Sequence, residues 1–212
     1  MFRRRLLKFA EGRITLHADL ATVAAGTIDD MIIDGAGRAF VGDLGFDLRR
    51  DPVTPGTGRL ILLPPDGEPR VVADGLDFPN GIAVSADGAR LVVAESEGDC
   101  LTEFAVAGDG SLSARRRFGH FGEPDGICLD HAGAVWVSLF KEDAFVRVDR
   151  TGQVLQRIAA PGRRGIACTL GGAARRTLYC LSAETSHENL KQAKSAAWID
   201  TLEVASPGAG FP

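Results

Sequence analysis

The sequence predicts an all-β protein, a β-propeller of the six-bladed type in which about four to five four-stranded blades are present. A repeat predicts it first. A phrase of acid or amide, Gly and Ile occurs as Asn80-Gly81-Ile82, Asp125-Gly126-Ile127 and Arg164-Gly165-Ile166, with a weaker copy at Asp30-Met31-Ile32. Its starts lie 50, 45 and 39 residues apart, the period of one propeller blade. The second observation is that each phrase opens a short apolar run, succeeded by a turn rich in Asp and Gly and then by a β-branched or aromatic run. The third is a set of hairpin signals, Pro65-Asp66-Gly67, Gly108-Asp109-Gly110 and Arg150-Thr151-Gly152, each between two such runs.

Taken in order, residues 3–9 and 13–19 read as the outer two strands of a blade whose inner strands lie outside the sequence. Each phrase then opens an inner strand. Second strands come next at 39–43, 90–95, 135–139 and 177–181, the middle two after Ser85-Ala86-Asp87-Gly88 and Asp130-His131-Ala132-Gly133. Third and fourth strands fall at 58–63 with 70–73, 101–107 with 113–118, and 145–149 with 154–158, and the C-terminal part supplies about three strands. The expected total is about seventeen, against about twenty-four for a closed ring of six four-stranded blades. The expectation is one domain over residues 1–212, a propeller lacking its beginning.

Composition narrows the classes. With 45% hydrophobic and 25% charged residues the chain can bury a sizeable core. No apolar stretch is long enough to span a membrane, and the basic start at Arg3-Arg4-Arg5 has no long apolar run after it. A net charge of −4 gives no drive toward nucleic acid, and the Arg115-Arg116-Arg117 run reads as a solvated strand edge. Cys100, Cys128, Cys168 and Cys180 lack metal-finger spacing and read as buried reduced thiols of a cytoplasmic protein.

Propeller geometry places functional groups as well. The residue opening each inner strand borders the central channel, so Asp30, Asn80, Asp125 and Arg164 are expected at one mouth. The loops joining second to third strands add Asp43, Asp47, Glu95, Glu97, Glu142, Asp143, Glu184 and His187 to that face. Most of these loop acids are expected to be solvated surface. Carboxylates with an amide oxygen suit a hard divalent cation: calcium first, with magnesium, manganese, zinc or iron as alternatives. No Gly-x-Ser-x-Gly occurs, and His17, His120, His131 and His187 have no Ser or Cys partner motif, so covalent catalysis is disfavoured.

Pro79-Asn80-Gly81, Pro124-Asp125-Gly126-Ile127-Cys128-Leu129-Asp130, Ala134-Val135-Trp136-Val137 and Ala167-Cys168-Thr169-Leu170-Gly171-Gly172 resemble the senescence-marker-protein/gluconolactonase/luciferin-regenerating-enzyme family, over about residues 3–210. The resemblance implies a six-bladed propeller that hydrolyses sugar lactones or related esters with a divalent metal at its channel mouth. It assigns Asn80 and Asp125 as metal ligands. The third family ligand, a Glu, belongs to a segment before residue 1, so lactone hydrolysis by these 212 residues is expected to be weak or absent. Many members carry Arg-x-Asn-Asp where this chain has Thr27-Ile28-Asp29-Asp30, so a cationic substrate contact is replaced by Thr27 and an amide by Asp29. With a metal at Asn80 and Asp125, Asp125 is the expected catalytic general base. Asp29, Asp30, Asp47 and His187 are the expected substrate contacts. The expected partner is a small lactone or ester, with no nucleic acid and no membrane. The alternative is an inactive propeller that binds a ligand or partner and self-associates through open blade edges.

Overall fold

In the computed structural model, which describes residues 4–50, 52–186, 188–189 and 192–210, the turns between apolar runs close seventeen strands into five antiparallel sheets. A ribbon of β1 (Arg5–Ala10) and β2 (Arg13–Asp19) comes first. Three four-stranded blades succeed it in plain meander order. The first holds β3 (Ile28–Ile33), β4 (Ala39–Asp43), β5 (Gly58–Leu63) and β6 (Arg70–Leu76). The second holds β7 (Pro79–Val84), β8 (Arg90–Glu95), β9 (Cys100–Val106) and β10 (Leu112–Phe118). The third holds β11 (Pro124–Leu129), β12 (Val135–Leu139), β13 (Ala144–Val148) and β14 (Val154–Ala159). The fourth has three strands, β15 (Arg164–Gly171), β16 (Thr177–Glu184) and β17 (Ala196–Glu203).

The blades stack face to face, so their middle strands must be apolar on both sides. Strand alternation then sends successive residues into different cores. On β4, Val41 packs toward the ribbon residues Leu6 and Leu20, while Phe40 packs toward Ile82, Leu91 and Val93 of the second blade. On β8, Val92 and Ala94 turn to the third blade. On β12, Val135 and Val137 join that same core, whereas Trp136 turns to Cys168, Leu178 and Cys180 of the fourth blade. One core therefore fills each seam. Truncating the fully buried Trp136 to Ala removes about 3–5 kcal/mol. All four cysteines are free and buried in these layers. Among the described residues no helix is long and apolar enough to cross a membrane.

The inner strands approach one another at their starts, where backbone nearly touches backbone. A Cβ on Gly81 would lie 2.5 Å from the Asp125 carbonyl oxygen, and one on Gly126 would lie 2.7 Å from the Ala167 Cα. Glycine follows Asn80 and Asp125 for that steric reason. At the seam between β3 and β7, Asp30 stands at the position that Gly81 and Gly126 hold in the next blades. Its carboxylate takes the N–H of Met31 at 2.8 Å and that of Ile82 on β7 at 3.2 Å.

Candidate site at the channel mouth

Every inner strand carries the same irregularity near its start. The ladder breaks between Ile28 and Met31 on β3, between Pro79 and Ile82 on β7, and between Pro124 and Ile127 on β11. In each case three steps on the inner strand face two on its partner, a bulge that re-aims the residue just after the break. The bulged residues are Asp29, Asn80 and Asp125. On β15 the break falls between Gly165 and Ala167, so Ile166 takes this position and the fourth blade supplies an apolar side chain without an oxygen donor. Gly165 stands where Pro79 and Pro124 stand, and a Cβ there would sit 2.7 Å from the Ala144 carbonyl oxygen and 2.9 Å from the Leu139 nitrogen.

This register corrects the repeat as read from the sequence by one residue in the first blade and two in the fourth. The equivalent of Asn80 in the first blade is Asp29, with Asp30 one place further along, and in the fourth blade it is Ile166, with Arg164 two places before. Arg164 instead lies along the ring of Phe140, 5.6 Å from its centroid, and its Nη1 donates to the Phe140 carbonyl at 3.2 Å.

Asn80 and Asp125 line one cavity of about 220 Å³ with Ser96, Glu123, Phe78 and Phe140. The Asn80 Nδ2 donates to Ser96 Oγ at 3.2 Å, and Ser96 Oγ donates to the Pro124 carbonyl at 2.7 Å, which ties the two site strands together. Burial pushes the Asp125 carboxyl up to about 8; the neighbouring charges of Asp29, Glu123 and Asp30 add to the rise, and a hydrogen bond from Asn80 offsets part of it. Asp29 is pushed up to about 6 by burial and by Asp30. Asp30 is raised by burial against its two backbone hydrogen bonds. No Arg or Lys side chain relieves these three carboxylates. The mouth is thus an anionic pocket of oxygen donors in which Lys141 offsets Glu123 at 3.3 Å and no cationic side chain offsets Asp125.

That donor set fits a hard divalent cation, since the cavity wall offers the carboxylates of Glu97, Glu123 and Asp125 and the Asn80 amide oxygen, with no thiolate or imidazole. Among the described residues no three Asp, Glu, His or Cys side chains converge on one point. Asn80 is therefore needed in the set, with water or substrate completing the coordination.

The other expected contacts divide. Asp47 sits in the loop after β4, where it accepts the Arg49 N–H at 3.0 Å and pairs with Arg50 at 3.7 Å. That loop is held by Leu48 N–H donating to Thr27 Oγ1 at 3.1 Å, and Leu48 rather than Asp47 reaches the cavity. His187 lies outside the described residues. Asp43 and Glu95 are not solvated loop acids: both are fully buried. Asp43 accepts the backbone N–H groups of Ala25, Gly26 and Gly45, and Glu95 accepts from Asp77 N, Thr102 and Arg117. The Arg115-Arg116-Arg117 run is likewise not an idle edge, because Arg117 clamps Glu95 at 2.8 Å and Arg116 clamps Glu103 at 2.7 Å.

Three wall residues have no signature in the sequence pattern: Phe78, Glu123 and Phe140. Phe78 and Glu123 occupy the same blade position, each just before the proline that opens a site strand, and both hold a left-handed backbone, with φ of 60° and 53°. Neither side chain favours that conformation, which costs about 1–3 kcal/mol per residue. Their carbonyls accept the N–H of Ser96 and Phe140, so the second strand of each blade fixes the strained entry to the bulge. Proline at 79 and 124 was the one hint in the sequence.

The description "SMP-30/Gluconolactonase/LRE-like region" matches residues 2–184. Pentonolactonase XacC of Haloferax volcanii is 32% identical over 160 residues, 73% of this chain and 53% of that protein. Regucalcin of Danio rerio is 31% identical over 206 residues, 94% of this chain and 69% of its own length. A solved gluconolactonase of Xanthomonas campestris, XC5397, superposes with a TM-score of 0.70 at 32% identity, covering 84% of this chain and 62% of that one. The chain spans about half the length of the pentonolactonase it matches.

Proposed function

The chain belongs to the SMP-30/gluconolactonase/LRE-like family, and we propose that its mouth hydrolyses sugar lactones or related esters with a hard divalent cation held by Asn80 and Asp125. One observation carries this reading: Asp29, Asn80 and Asp125 occupy the same bulge in three consecutive blades, and no Arg or Lys side chain offsets the raised carboxyls of Asp29 and Asp125. The names of its relatives, a pentonolactonase and a gluconolactonase, supply the substrate class. Calcium is the first candidate cation, with magnesium, manganese, zinc and iron behind it.

When bound, the cation supplies Lewis acidity to the lactone carbonyl. The residues do the rest. Asp125 takes a proton from the attacking water as its oxygen bonds to the carbonyl carbon. The ring C–O bond then breaks, and Asp125 returns the proton to the departing ring oxygen, giving the open hydroxy acid. Asn80, anchored through Ser96, holds the donor geometry. Asp29 accepts a hydrogen bond from a substrate hydroxyl or adds a third oxygen to the cation. Phe78 and Phe140 exclude bulk water from one side of the cavity.

The test is hydrolysis of five- and six-carbon sugar lactones by the purified chain with each cation and with a chelator. Turnover that needs the cation and falls by about 10²–10⁴ in Asp125→Ala supports the reading. Hydrolysis that survives both the chelator and Asp125→Ala contradicts it.

A further inference from the structure

Two places before the bulged residue of each blade stands a second tier of the mouth, made of Thr27, Phe78, Glu123 and Arg164. The backbone marks the first three as equivalent. The carbonyls of Thr27, Phe78 and Glu123 accept the N–H groups of Leu44, Ser96 and Phe140 at 2.9, 3.1 and 3.0 Å, in each blade the residue just past the second strand. All four members shape the cavity. Phe78 and Glu123 line it, Thr27 holds the loop that brings Leu48 to it, and Arg164 backs the ring of Phe140.

The charges of this tier are spent within the protein. Thr27 and Phe78 carry none, and Arg164 pairs with Asp143 at 3.4 Å. Glu123 pairs with Lys141, whose Nζ lies 3.3 Å from its Oε2. Burial works against the Lys141 ammonium, but the charges of Glu123, Asp99 and Glu97 outweigh it and hold this group above its usual range. Glu123 is the fixed partner of the two. Its side chain is 10% exposed, its N–H donates to Asp99 Oδ1 at 2.9 Å and its carbonyl is taken by Phe140, whereas Lys141 is 55% exposed. A substituent entering this cavity therefore meets the carboxylates of Glu97, Glu123 and Asp125, and among the described residues no Arg or Lys lines the wall to balance it.

We infer that Glu123 sets the charge class of the substrate: by holding Lys141 it withholds a countercharge from any anionic substituent and adds a like charge, so this side of the cavity takes uncharged lactones and turns away those bearing phosphate, sulfonate or carboxylate. The inference rests on the lactone reading of the cavity. Its converse is a switch. With the Glu123 charge removed, Lys141 loses its ion-pair partner and becomes available to an anionic group.

Calorimetric titration of two uncleavable analogues into the chain with calcium present tests this: gluconolactam, which is uncharged, and gluconolactam carrying a phosphate ester on its terminal hydroxyl. The parent chain should bind the uncharged lactam at least about tenfold more tightly than the phosphorylated one. Glu123→Gln should tighten binding of the phosphorylated lactam by about tenfold and leave that of the uncharged lactam nearly unaltered, and adding Lys141→Gln should abolish the gain. A merely structural role for Glu123 would move both analogues alike. Glu123→Ser repeats the test should circular dichroism show Glu123→Gln misfolded. Equal binding of the two lactams by the parent overturns the inference, as does a Glu123 variant without the gain, or a gain that survives Lys141→Gln. Failure of the parent to bind either lactam would overturn the lactone reading itself and this inference with it.

Discussion

Buried acids occur in two regions of this molecule, and the two sets are treated in opposite ways. On the outer strands, Glu95 is fully buried yet takes hydrogen bonds from Asp77 N at 2.6 Å, from Thr102 and from Arg117 at 2.8 Å. Burial pushes Glu103 up, but the guanidinium groups of Arg116 and Arg90 outweigh it and hold this carboxyl below its usual range. At the inner-strand mouth, Asp125, Asp29 and Asp30 are all raised, with no Arg or Lys side-chain partner. Burial alone therefore does not mark a functional carboxylate here. Burial with neither a protein countercharge nor the three backbone donors that satisfy Asp43 does, because it leaves an anionic site that a bound cation would stabilise.

The largest expected effect separates the two sets by stability. Glu95→Ala leaves the Asp77 N–H and the Thr102 hydroxyl without their acceptor, and should lower the unfolding free energy by about 3 kcal/mol in urea melts. Asp125→Asn, by contrast, should leave the cation-free protein at pH 8 as stable as the parent or more so, since it removes a carboxyl that resists ionisation. Equal losses in the two variants would erase the distinction.

Next in size is the response to cation. At a free concentration about a hundred times its dissociation constant, a cation should add about 2.7 kcal/mol to the stability of the parent chain and nothing measurable to Asp125→Asn. Thermal melts with and without chelator check this. The pH dependence has a definite sign. Folded Asp125 keeps its proton to about 8 and Asp29 to about 6, while unfolded carboxyls release theirs near about 4. The stability they contribute is thus fully present below about pH 4 and is lost as pH rises toward 8, so the cation-free melting temperature should fall across that window. Asp125→Asn should flatten the upper part of the curve. The smallest effect is expected from Asp29→Asn, which keeps an oxygen at the bulge while removing one charge. It should weaken cation binding by about tenfold, or about 1.4 kcal/mol, by calorimetric titration.

Much of the scaffold was legible from residue types. The Asp-Gly turns and β-branched runs placed the second strands almost residue for residue, as at Ala39–Asp43, Arg90–Glu95 and Val135–Leu139. β17 was not located individually, because a strand exposed on both faces has no apolar alternation to reveal it. Asn80 and Asp125 were legible because glycine must follow a bulged residue where inner strands nearly touch. The same cue misled at the ends. The first blade has Asp30 in the glycine position, and the fourth has Gly165 in the proline position with Ile166 in the site position, so a phrase anchored on Gly-Ile slipped by one residue in the first and by two in the last. The roles of Asp43 and Glu95 could not be read locally, since their partners lie 17 to 22 residues away in sequence.

Calorimetric titration of calcium, and then of magnesium and manganese, into the parent chain, Asn80→Ala and Asp125→Asn at pH 8 tests the central claim most directly. The account predicts one cation per chain, weakened in Asn80→Ala and lost in Asp125→Asn, with both variants still folded by circular dichroism. Binding of equal strength in all three proteins, or no binding of any of these cations to the parent chain, would contradict it.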